Sequence, residues 1–302
     1  MPVTGGNYFA KQTITSAPSR TRNISAKVNI TQNTTHYVLL NPLLCYNHFM
    51  VLTEDIPTQT PPKRIWGFWP TIGFSAVILT AYNVTQLFVT LVVMVIQLYT
   101  NQTGLQEAWE GLTSGLVFSL AIITSTVIGL LLVAVFIRIQ GSVSLADYLG
   151  WKPIRPRIIL RLVLISVVML AAVLIIGGII GDDGDASFTT ELYGNSGNVP
   201  LFWLAVIFFA PLFEEVFFRG FLFVGLRASR AGPVTAIIIT SLLWAIMHLQ
   251  YNLFGIAQIL SIGIIMGIVR HKTDSLWSPL IIHILWNAAA VISMALYVSP
   301  GG

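Results

Sequence analysis

Uncharged apolar runs about twenty residues long recur along this chain, at about 70–99, 112–137, 158–180, 199–226, 232–250, 253–269 and 276–298. A helix of that length crosses a hydrocarbon core of about 30 Å, and helices or closed barrels are the only forms that satisfy a backbone in lipid. The expected fold is therefore all-α: a polytopic integral membrane bundle of about seven transmembrane helices, with eight as the upper count. The charge content excludes a soluble domain, since 55% of residues are apolar and 9% charged against about a quarter charged in soluble proteins. No internal repeat is evident among the runs.

The charges that remain are ordered by loop. Lys63 and Arg64 precede the first run; Arg138, Lys152, Arg155, Arg157 and Arg161 surround the second loop; Arg227 and Arg230 follow the fourth run; Arg270 and Lys272 follow the sixth. The alternate loops carry acids instead, Glu107 and Glu110 in one and Asp182, Asp183, Asp185 and Glu191 in another. By the positive-inside rule the N-terminus is expected in the cytoplasm and the C-terminus outside, in the cell membrane if the host is prokaryotic. The sixteen Lys and Arg form no patch suited to nucleic acid, and the lipid bilayer is the partner they imply.

Residues 1–65 are rich in Thr, Ser and Asn and read as a disordered cytoplasmic tail. They contain no signal-peptide pattern, so the first span is expected to direct insertion. The sequons at Asn23, Asn29 and Asn33 then lie on the side where no glycan is added. Cys45 is the only cysteine, which excludes an intrachain disulfide. The expected organisation is this tail, three N-terminal spans over 66–198 and a four-span unit over 199–302.

Chemistry concentrates in that last unit. Glu214, Glu215, His248 and His283 lie within its spans, and an ionisable group in lipid is costly unless it faces a bundle interior or a wet cavity. Glu215 and Arg219 are four residues apart, hence on one helix face and able to pair. Glu214 points about 100° around the helix, free of that partner, and is the candidate general base. Pro211 removes a backbone donor one turn earlier and is expected to kink the helix and leave a carbonyl available. Trp244 and His248 share a face of the next span, where an imidazole can hold a water against a carboxylate or carry its proton. His283 and Asn287 repeat that spacing on the last span. Such a pair can donate to an oxyanion or serve as interhelical glue.

Glu-Glu-x-x-x-Arg at 214–219, Trp-x-x-x-His at 244–248 and His-x-x-x-Asn at 283–287, each on its own span, resemble the CAAX prenyl protease and bacteriocin-processing (CPBP, Abi) family of intramembrane endopeptidases. The run from Arg270 to Leu280 is similar as well, and the resemblance covers about residues 199–298. It implies that Glu214 activates water with help from His248, that His283 and Asn287 stabilise the oxyanion, and that Glu215 and Arg219 organise the site or bind the substrate backbone. Trp244 stands where the family usually has Phe. The implied substrate is a peptide or prenylated protein, with peptide or bacteriocin maturation or immunity as roles in a prokaryote. The family has been called metalloprotease-like, and Glu214, His248 and His283 would make a zinc set. No His-Glu-x-x-His motif is present and Asn is a poor zinc ligand, so metal-free, glutamate-dependent hydrolysis is favoured, with no cofactor.

Two rivals belong to other classes: a proton-coupled transporter, in which buried Glu and His form a relay, and a catalytically silent membrane scaffold. Straight helices also pose a geometric test for the protease. At about 1.5 Å per residue, Glu214 lies about 18 Å, His283 about 10 Å and His248 about 25 Å from the cytoplasmic ends of their spans. Tilt, a kink at Pro211 or a deeper start at Gly232-Pro233 would be needed to bring them together.

Overall fold

The computed structural model describes residues 65–100, 114–182 and 187–298, all within the compact unit Thr60–Gly302. The tail expected over 1–65, with its sequons and Cys45, lies outside the described residues apart from Ile65. So do Glu107, Glu110, Asp183 and Asp185.

The regular elements are helices: α1 (Phe68–Thr100), α2 (Gly115–Gln140), α3 (Leu145–Leu149), α4 (Pro156–Ile180), α5 (Ser187–Gly194), α6 (Val199–Ala228), α7 (Gly232–Ile246), α8 (Leu253–Thr273) and α9 (Trp277–Val298). Six of them, α1, α2, α4, α6, α8 and α9, are long and apolar enough to cross a membrane. α7 is a shorter apolar helix of 15 residues. The chain is a multi-pass helical membrane protein, as its apolar runs require.

Burial decides which span is central. Over the most apolar window of α6, 56% of residues are buried, against 6% for α4. α4 offers Val167, Val168, Leu174 and Ile179 outward, which lipid covers at no cost because its tails are as apolar as those side chains. α6 instead packs Phe213, Phe217, Phe218, Phe221 and Phe223 into the core, each fully buried. Tyr82 of α1 stacks on Phe213 with ring centroids 3.9 Å apart. Large rigid aromatic faces thus surround the one helix that carries adjacent carboxylates, and they hold it away from lipid.

α6 is not a uniform α-helix. Two segments, Ala205–Phe209 and Glu215–Leu222, are π-helical, and each return to α geometry drops one carbonyl from the ladder. At the first, the Ala210 N–H bonds to the Ala205 carbonyl. The next carbonyl in that register, Val206, would need an N–H from residue 211, which is proline. Asn287 of α9 supplies the donor, its Nδ2 lying 2.8 Å from the Val206 oxygen. The Phe209 carbonyl accepts from Thr126 Oγ1 of α2 at 3.2 Å. The carbonyl expected to be freed by Pro211 is therefore present and is used to dock α9.

At the basic edge of the bundle, Asp274 joins three elements. It follows α8 in the left-handed conformation, φ 48°, and accepts from Lys152 Nζ at 2.5 Å, Arg227 Nη1 at 3.0 Å and Arg270 Nη1 at 3.4 Å. Partial burial raises the pKa of its carboxyl, but the Lys152 and Arg227 hydrogen bonds and the charges of Arg227 and Arg270 outweigh this and hold it at about 2, below its ordinary 3.8. A carboxylate depressed in the folded state contributes stability above its unfolded pKa and loses it as pH falls through the folded one. Thermal melts in detergent are accordingly expected to drop for the wild type between about pH 4 and pH 2. An Asp274→Asn variant, less stable at pH 6, should lack that component of the drop.

Candidate active site

Three helices meet around the side chain of Trp244. Its indole N–H donates to Glu214 Oε2. Its ring lies edge-on to His283, centroids 5.1 Å apart, and edge-on to His248 at 5.2 Å. The Arg219 guanidinium carbon sits 4.8 Å from the ring centroid, close enough for a cation–π contact. This packing needs a small neighbour on α8: a Cβ on Gly263 would come within 3.1 Å of the indole and 3.2 Å of Ser241 Cβ.

Glu215 and Arg219 are fully buried and paired as the spacing requires, with Arg219 Nη1 donating to Glu215 Oε1 at 2.9 Å. Arg219 Nη2 reaches the Gly263 carbonyl at 3.4 Å. The same Glu215 oxygen accepts from His283 Nδ1 at 2.7 Å. A carboxylate oxygen only accepts here, so His283 carries a proton on Nδ1 and presents Nε2 to the site. That nitrogen lies 3.8 Å from Glu214 Oε2. Glu214 is less buried than Glu215, with 13% of its side chain exposed. No hydrogen bond engages its second oxygen among the described residues.

His248 departs from its expected place. The sequence puts it on the face of the fifth run, but α7 ends at Ile246 and His248 sits in the following turn. Asn252 caps α8 by accepting from the Gly255 N–H at 2.9 Å, so the chain must reverse within five residues. It begins by tightening, the His248 N–H bonding to the Ala245 carbonyl. The His248 Nδ1 donates to the Trp244 carbonyl at 2.8 Å, which leaves Nε2 as the nitrogen able to accept a proton. No hydrogen bond or ion pair joins His248 to Glu214 among the described residues, and its link to the cluster is the Trp244 ring. Asn287 lies one turn beyond His283 with an amide hydrogen committed to Val206.

Glu214, Glu215, Arg219, Trp244 and His283 are thus gathered directly. His248 and Asn287 stand at the margin. The two π segments of α6 and the short α7 are the departures from straight, full-length spans that accompany this gathering. As for the zinc set, no group of three or more His, Cys, Asp or Glu among the described residues is arranged to hold a metal ion.

In the sequence Arg270 stands among the loop charges and at the head of the family-like run, with no site role of its own. It is buried to 1% exposure and donates from Nε to the Arg219 carbonyl at 3.1 Å. Its i,i+4 spacing to Asp274 was the available signal.

The indole N–H engages Glu214 at the position where the resemblance leads to an expectation of phenylalanine. Trp244→Phe keeps a ring against Arg219 and His283 but removes the N–H from Glu214, a hydrogen bond to a charged group worth about 1.5–3 kcal/mol. The variant is expected to fold and to hydrolyse peptide about tenfold more slowly. Single-turnover rates compared with melting temperature check this.

Fold and site together define a polytopic helical membrane protein with a buried carboxylate–imidazole–guanidinium cluster. Residues 196–289 match the family model of Rce1-like proteins, the type II CAAX prenyl endopeptidases, which bears out the resemblance carried by the three motifs. A curated relative from Escherichia coli, an uncharacterized 24.3 kDa protein, is 32% identical over 100 residues. That alignment covers 32% of this chain and 46% of the relative, so the chain spans about half the length of the curated protein it matches. No solved structure matches the chain.

Proposed function

We propose that this chain is a glutamate-dependent intramembrane endopeptidase whose working unit is residues 199–302, with the three spans before it as its scaffold. The observation that carries this reading is the convergence of Glu214, Trp244 and His283, from three separate helices, on one point beside a buried Glu215–Arg219 pair. The family match over the same residues supports it.

In this mechanism Glu214 takes a proton from water as the water attacks the scissile carbonyl, and later delivers it to the leaving amine. Trp244 orients the carboxylate through one oxygen and leaves the other for water. His248, with its proton held on Nδ1, offers Nε2 as a second contact for that water. His283 donates from Nε2 to the developing oxyanion when its ring carries both protons, and the flanking carboxylates balance that charge. Asn287 has a second amide hydrogen for the same oxyanion. The Glu215–Arg219 pair organises the site by holding the His283 ring through Nδ1.

The reaction is metal-free in this reading, because His248 joins the cluster through the Trp244 ring and is not gathered with Glu214 and His283 as a third ligand. The substrate is a peptide segment presented at the cytoplasmic half of the membrane, with or without a prenyl group, and peptide maturation or immunity is the prokaryotic role. The N-terminus is cytoplasmic and the C-terminus outside, following the loop charges.

The test is cleavage of a quenched peptide library, including prenylated peptides, by detergent-purified protein with and without a chelator. Cleavage that resists the chelator supports the proposal, and loss with chelator replaces it with a metal enzyme. Absence of any cleavage by folded protein rejects it.

A further inference from the structure

The second π segment of α6 ends with the Phe223 N–H on the Phe218 carbonyl. α geometry resumes at Phe223, and in passing from i−5 to i−4 bonding the ladder skips one carbonyl, that of Arg219. A buried carbonyl without a donor is costly. Arg270 of α8 fills the gap, donating from Nε at 3.1 Å. Its Nη2 donates to the Leu149 carbonyl at the end of α3 at 3.0 Å, and its Nη1 faces Asp274 at 3.4 Å. One guanidinium thus serves three acceptors on three elements, a division of donors that its rigid fork permits and an ammonium does not. Gly150 makes room for it: this residue has φ 68° and a Cβ there would come within 2.5 Å of Arg270 Nη2. The Leu276 N–H bonds back to the Gly150 carbonyl at 2.9 Å, which closes the seat.

We propose that Arg270 is a positioning residue of the active site: by capturing the Arg219 carbonyl it holds the π register of α6 and so sets where Glu214 and Glu215 meet Trp244 and His283. This rests on the proposed peptidase for its kinetic consequence but not for its structural one. The π segment begins at Glu215 and ends within one turn of Arg219. A slip at its far end shifts the carboxylates along and around the helix, whereas the indole on α7 stays where Gly263 seats it. Asp274 alone does not account for Arg270, because Arg227 and Lys152 already serve that carboxylate.

The test compares Arg270→Gln, Arg270→Lys and Arg227→Gln in full-length protein in detergent. Arg227→Gln removes a guanidinium from Asp274 and leaves the Arg219 carbonyl untouched, so it reports the merely structural effect of weakening the charged cluster. Protein labelled with 5-fluorotryptophan gives a resonance for each of the eight Trp, and Trp244→Phe identifies that of Trp244. The Trp244 resonance is expected to move in Arg270→Gln, to move less in Arg270→Lys and to stay in place in Arg227→Gln. With the fastest-cleaved library peptide, kcat should fall about tenfold to a hundredfold in Arg270→Gln, with KM within about twofold, and recover in part in Arg270→Lys. An unmoved resonance in Arg270→Gln, or an equal shift in Arg227→Gln, overturns the proposal. If the wild type cleaves nothing, the peptidase reading fails while the fluorine spectra still decide the role of Arg270.

Discussion

Replacing Glu214 by glutamine is expected to slow peptide hydrolysis by about 10²–10⁴-fold, the range that a positioned general base contributes, with melting temperature unchanged. Both halves follow from the surroundings of Glu214. The amide oxygen of a glutamine still accepts from the Trp244 indole, so the contact holding α6 to α7 survives. The side chain is 13% exposed and has no cationic partner as close as the one its neighbour has, so neutralising it strands no buried charge. What disappears is the basic oxygen that the Trp244 indole leaves unengaged. A Glu214→Gln protein that cleaves at the wild-type rate would remove Glu214 from the mechanism.

Glu215→Gln is expected to act through stability first. Its carboxylate is completely buried and one oxygen accepts from both Arg219 and His283. Its second oxygen has no hydrogen-bond partner among the described residues. Neutralising this carboxylate leaves the Arg219 charge buried without a counter-charge, which costs about 3–5 kcal/mol. Removing both charges together, as Glu215→Leu with Arg219→Met, is expected to restore most of that loss, since an apolar replacement of a buried pair is often neutral. Activity should stay absent in the double variant because His283 has lost the acceptor that holds its ring in place. Denaturation in detergent measured beside single-turnover hydrolysis separates the two effects. Recovery of both stability and activity would show that the pair is scaffolding alone.

These expectations differ in how far they were legible in the residues. The Glu215–Arg219 pair follows from i,i+4 spacing, and it forms even inside a π segment because four residues still bring two long side chains to one side of the helix. The meeting of Glu214 with His283 was not legible, since straight helices put them at different depths. The position of His248 was misread as helical, because helix length on α7 is set by the Asn252 cap of the next helix and not by apolarity. Asn287 was recognised as a hydrogen-bonding residue at the right spacing. Its partner, the Val206 carbonyl, exists only because a π turn and Pro211 together leave that oxygen without an N–H. Arg270 read as loop charge, although it is one of the most buried side chains of the protein.

By itself the sequence determined the solvent: apolar runs of bilayer length, with charge confined between them, admit only a helical membrane bundle, because water is absent to satisfy any other backbone. It also determined which helices carry chemistry, since ionisable side chains are too costly in lipid to occur there by default. The tertiary structure alone decided where those side chains meet. That depends on helix register, and register in α6 is set by carbonyls dropped from its own ladder and taken up by Asn287 and Arg270 from helices far away in the chain. Such bonds have no local signature, because donor and acceptor become partners only after the helices have packed.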